Sequence, residues 1–102
     1  MTDEKEKFVL SPEVCAWADD ENENYHIEIT LPGVEKDTIN LKIHEDSFFI
    51  KGETNNTIYV GSYVICCPVK AEETKAVYKN GILKIDVPFQ NPMEKAIDVK
   101  IE

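Results

Sequence analysis

Apolar and polar positions alternate with a period of two along most of this chain, the pattern of strands that bury one face. In YHIEITL, Tyr25, Ile27, Ile29 and Leu31 share one face, while His26, Glu28 and Thr30 share the other. Pro32-Gly33 then predicts the middle of a type II turn. INLKIHEDSFFIKG predicts two strands about a tight turn at Glu45-Asp46, with Ile39, Leu41 and Ile43 on one face of the first and Phe48 and Ile50 on one face of the second. TIYVGSYVICCPV predicts a longer strand with a bulge at Gly61, ended by Pro68, with Cys66 and Cys67 on opposite faces. EVCAWADD predicts a short apolar strand in which Trp17 is expected in the core. DDENEN reads as a solvated turn and KAEETK as at most one helical turn.

The most sharply specified element is AVYKNGILKIDV. Asn80-Gly81 separates two alternating runs, and both residues tolerate the positive φ of a type I′ turn. A two-residue loop sets Lys79 against Ile82, Tyr78 against Leu83 and Ala76 against Ile85. Ala76, Tyr78, Leu83, Ile85 and Val87 then form an apolar face, opposite a face of Val77, Lys79, Ile82, Lys84 and Asp86 made for water. Seven or eight short strands with regular turn signals predict an all-β protein, a β-sandwich. The expected organisation is a short N-terminal arm at 1–11, a sandwich domain at 12–89 and a C-terminal extension at 90–102.

Composition narrows the function. The chain has 102 residues, of which 20 are acidic and 11 basic, for a formal net charge of −9. Every basic residue is lysine. Nucleic-acid binding needs a basic surface and commonly arginine forks, so it is not expected. No apolar run is long enough to cross a bilayer, and the charged MTDEKEK is followed by no apolar signal-peptide core, so neither a membrane nor a secretory route is expected. Three cysteines, two of them adjacent, do not make a disulfide framework, and a cytoplasmic location is expected.

Chemistry-bearing patterns are sparse. His26, His44, Cys15, Cys66 and Cys67 show no metal-ligand spacing. The glycines at 33, 52, 61 and 81 form no phosphate-cradling loop. Asp19-Asp20-Glu21 lacks a calcium-loop pattern and reads as a solvated turn. Trp17 and Phe49 are the aromatic candidates for surface anchors. No catalytic residue, metal or cofactor is expected.

Four segments in order resemble the small heat-shock proteins. They are LPGV at Leu31–Val34, FFIKGE at Phe48–Glu53, CPV at Cys67–Val69, and the Ala76, Asn80, Gly81, Leu83 spacing of the hairpin, with PEV at Pro12–Val14 also in order ahead of them. The resemblance covers residues 12–88. It implies an α-crystallin domain, an immunoglobulin-like antiparallel sandwich of seven to nine strands, and ATP-independent holdase activity toward partly unfolded client proteins. It further implies a docking motif of two branched aliphatics in the C-terminal extension. Ile97 and Val99 fit it, with Val99 and Ile101 as a shifted alternative. Such a strand docks by edge addition into a groove, here lined by Ile39, Leu41, Ile43, Ala76 and Tyr78. The same alternation also suits a last strand of the chain's own sheet. Members of this family usually carry a longer N-terminal region than the eleven residues before Pro12, and a longer loop after Glu53. The expected assembly is therefore a monomer, dimer or small oligomer. A second reading is a CS-domain-like adaptor binding a larger chaperone, which shares the sandwich and the short loops.

Overall fold

The computed structural model describes residues 7–21, 23–90 and 98–102. Eight strands build two four-stranded sheets: β1 (Phe8–Leu10), β2 (Glu13–Ala18), β3 (Asn24–Thr30), β4 (Asn40–His44), β5 (Ser47–Glu53), β6 (Thr57–Val64), β7 (Lys75–Lys79) and β8 (Ile82–Pro88). One sheet runs β1-β6-β5-β4 and the other β2-β3-β8-β7. Single 3-10 turns at Lys36–Thr38 and Ala71–Glu73 precede β4 and β7.

The period-two pattern sets the core. Ile27 and Ile29 of β3, Phe48 and Ile50 of β5, and Leu83, Ile85 and Val87 of β8 are buried together with Leu31, Val34, Ile65 and Val69. The strands β3, β5 and β8, each flanked on both sides, supply most of it, as expected when two sheets pack face to face. The hairpin pairs in the register read from the sequence: Lys79 with Ile82, Tyr78 with Leu83 and Ala76 with Ile85. Asn80 and Gly81 have φ of 55° and 79°. The turn closes against the preceding corner, where the Leu31 N–H donates to the Gly81 carbonyl at 2.8 Å. Gly33 has φ 73°, as the third residue of a type II turn requires. The turn at Glu45-Asp46 joins His44 and Ser47 as read.

Four expectations are corrected. Phe8-Val9-Leu10, within the segment read as a short N-terminal arm, is a strand that pairs in parallel with Thr57-Ile58-Tyr59. Three residues are too few to show a period, so the strand was invisible in the pattern. Gly61 marks no bulge, because the β5–β6 ladder runs unbroken through Ile50 and Gly61. A Cβ there would lie 2.6 Å from the Tyr63 hydroxyl, so a larger residue would have to displace the tyrosine ring. The strand ends at Val64 rather than Pro68, so Cys66 and Cys67 lie in a bend, not on two faces of a strand. Trp17 is 43% exposed instead of buried. It pairs with His26, whose parity faces outward, whereas Val14 of β2 packs on the core.

Candidate functional site: an open seam between the sheet edges

The strands β4 and β7 end their respective sheets, each with one edge unpaired among the described residues. The two edges are brought to the same side of the sandwich at both ends. At one end, the Tyr78 hydroxyl shares its proton between the carbonyls of Leu31 (2.7 Å) and Val34 (3.0 Å). Val34 in turn lies over Gly52, where Ile39 also approaches. At the other end, Ile43 lines a cleft with Val69, Ala71 and Glu72, just ahead of β7.

The sequence-derived groove residues fall along this seam. Ile39, Leu41, Ile43 and Tyr78 are half-buried and pack on the core from its rim. Ala76 occupies an inward-facing position opposite Ile85, yet it is exposed. The facing sheet does not cover it, contrary to the close approach its small size suggests. Leu83 is 4% exposed and forms the floor behind Tyr78. Asn80 and Gly81 make the turn at the end of the seam and carry no reactive group.

The C-terminal motif divides. Ile97 lies outside the described residues. Val99 and Ile101 are 80% and 90% exposed, and residues 98–102 join no ladder. The reading of this segment as a last strand of its own sheet therefore fails for those residues.

Other apolar groups are exposed, and of these only Val77 was read on a water-facing surface. Phe8, Val9, Leu10, Val64 and Val77 are 49–84% exposed. The signal was present in Val77, whose parity on the hairpin points to water. Trp17 lies against His26 with ring centroids 5.7 Å apart, and His26 Nδ1–H donates to Asp86 at 2.6 Å. Phe49, the other anchor candidate, is half-buried.

The acidic turn at Asp19 is self-contained. Its carboxylate accepts from the Glu23 N–H at 2.8 Å and from Asn24. These bonds, that from Glu23 foremost, hold its pKa below the ordinary carboxylate value. The carboxylate acts here as a turn acceptor. Among the described residues no group of three metal-ligating side chains comes together, and no helix is long and apolar enough to cross a membrane.

Two sheets in this order, with an Asn-Gly hairpin at the edge, invite comparison with known proteins. The sequence profile of the Hsp20/alpha crystallin family matches residues 17–102. The chain belongs to that family. It is similar to the probable 15 kDa heat shock protein of Leptospira interrogans, at 29% identity over 92% of this chain and 82% of that one. Small heat shock protein C4 of Rickettsia felis is 36% identical over 79% of this chain and 60% of its own length. In structure the chain resembles heat shock protein 16.0 of Schizosaccharomyces pombe, with a TM-score of 0.72 at 18% identity, covering 92% and 77% of the two chains. As a small heat-shock protein it is an ATP-independent chaperone that holds partly unfolded proteins. No observation favours the CS-domain adaptor. Binding of clients and self-association come with the family.

Proposed function

We propose that the seam between β4 and β7 is where this small heat-shock protein exchanges its own C-terminal strand for an unfolded client. The supporting observation is the seam itself. Ile39, Leu41, Ile43 and Tyr78 form an apolar rim flanked by two unpaired strand edges. An edge of this kind recruits an extended segment by main-chain hydrogen bonds, and apolar pockets select alternate side chains. The resident occupant is the aliphatic pair of the extension, Ile97 with Val99 or Val99 with Ile101, from the same chain or from a second copy. Val99 and Ile101 stand exposed on the free chain and gain most from burial. Two such side chains contribute about 3–6 kcal/mol gross, offset by the ordering of the extension. The small difference makes docking reversible, so a client segment with alternating apolar residues displaces the tail as unfolding raises its concentration.

The assembly is a monomer, dimer or small oligomer. The connection between β5 and β6 is the three-residue turn Thr54–Asn56, in which Thr54 N–H donates to the Thr57 carbonyl at 2.8 Å. It offers no loop to swap into a partner. The protein works in the cytoplasm, without catalysis, cofactor or metal, and binds neither nucleic acid nor membrane. The test is suppression of light scattering from a heated enzyme, with and without a synthetic peptide of residues 90–102. Competition between peptide and client supports the seam. Full protection of the client with the peptide bound in excess sinks it.

A further inference from the structure

The bend after β6 carries a feature that client holding does not use. Cys66 and Cys67 are both exposed, and their sulfurs lie 2.9 Å apart. The bend is pinned on each side. Ile65 is buried and its N–H donates to the Asp46 carbonyl at 2.8 Å, while Val69 is fully buried and its N–H donates to the Glu45 carbonyl at 2.9 Å. Pro68 restrains the backbone of Cys67 further. Two thiols are thus held against each other on a short, anchored bridge open to solvent.

We propose that Cys66 and Cys67 are a redox-active vicinal dithiol that hydrogen peroxide converts into an intrachain disulfide. The Cys67 thiolate attacks one peroxide oxygen and the O–O bond breaks. The departing hydroxide takes a proton and leaves as water, and Cys67 becomes a sulfenic acid. The Cys66 sulfur then attacks the Cys67 sulfur, the S–O bond breaks, and hydroxide leaves as a second water with the Cys66 proton. Two electrons pass from the sulfur pair to the peroxide. The hydrogen bond from its neighbour holds the Cys66 thiol above its ordinary pKa, and because both sulfurs are exposed and in contact the same two steps balance with their roles exchanged. Neighbouring Cα atoms are about 3.8 Å apart, below the usual 4.4–6.8 Å of disulfides, so the ring is constrained and readily reduced.

The bend also holds the root of the C-terminal extension. Gln90 N–H donates to the Pro68 carbonyl at 2.9 Å, and its side-chain amide donates to the Val69 carbonyl at 3.1 Å. Val69 bridges to Phe89, which packs on Tyr25 with ring centroids 5.5 Å apart. Closing the ring re-aims the Pro68 carbonyl and loosens Gln90, so oxidation changes how the extension leaves the domain.

The experiment uses the Cys15→Ser full-length chain, which retains only this pair, treated with hydrogen peroxide at low protein concentration. The expected product is a monomeric chain lighter by two hydrogens, resistant to iodoacetamide, restored by dithiothreitol, and with faster amide exchange at Gln90. Adding Cys66→Ser or Cys67→Ser should abolish the two-hydrogen loss and leave the melting temperature unchanged. Added oxygen without hydrogen loss, disulfide-linked dimers as the main product, or an unaltered mass where a free thiol peptide is oxidised would each overturn the proposal. Oxidation with unchanged exchange at Gln90 would overturn its link to the extension.

Discussion

Leu83 shows how much rests on single side chains in a core this small. It is 4% exposed and faces the space between the sheets. Leu83→Ala should cost about 2–5 kcal/mol, read as a lower midpoint in denaturant with the slope unchanged. Gly81→Val forces a β-branched residue to φ 79° and should destabilise strongly by the same measurement. Tyr78→Phe is a subtler change. It removes the hydroxyl bonded to the Leu31 and Val34 carbonyls while keeping the ring, and should cost about 1 kcal/mol. A melt equal to the parent's would mean those carbonyls are satisfied by water. The tyrosine's role in tying the hairpin to the Pro32-Gly33 corner could not be read from alternation, which marks it only as an inward residue.

At the scale of elements, β1 is the strand held most lightly. Its ladder with β6 spans three positions, reinforced at the start by the Phe8 N–H on the Asn56 carbonyl at 2.9 Å and by Lys7 on Glu53 at 2.8 Å. The hydrogen bond and charge of Lys7 hold the Glu53 carboxyl below its ordinary pKa. A depressed carboxylate contributes stability that is present above its unfolded value and is lost as pH falls through the folded one. Amide protection at Phe8 should therefore fall on acidification below the normal carboxylate range, and be weakened by salt. Glu53→Gln should remove that pH dependence. Protection that tracks global unfolding instead would show β1 to be an integral strand. The contrast with β7 and β8 is instructive. That hairpin was legible down to its register, because Asn-Gly and five alternating positions agree. The pairing of β1 depends on an edge of β6 far away in sequence, which no local pattern encodes.

For the whole molecule, the seam and the extension make a joint prediction. Val99→Ala combined with Ile97→Ala or Ile101→Ala should leave the domain folded, since Val99 and Ile101 are exposed. It should lower the mass of any oligomer and raise binding of an apolar dye to the uncovered rim. Outright unfolding of both double variants would make the tail part of the core. Light scattering at micromolar concentration should give a monomer, dimer or small oligomer, and a monodisperse particle of twelve or more subunits would exclude that assembly.

The sequence alone determined what depends on neighbours along the chain. Period-two burial selected the core faces of β3, β4, β5 and β8, and positive-φ residues marked the turns at Gly33 and Asn80-Gly81. What only the tertiary structure decided depends on which strand lies at an edge. Trp17 has apolar neighbours like a core residue, but its pairing opposite His26 places the indole on the outer face of the edge strand β2. Ala76 has core parity, but β7 is also an edge, and among the described residues it is left exposed. Alternation records which face a side chain takes. Whether another sheet stands over that face is a matter of strand order, and strand order is settled by long-range packing.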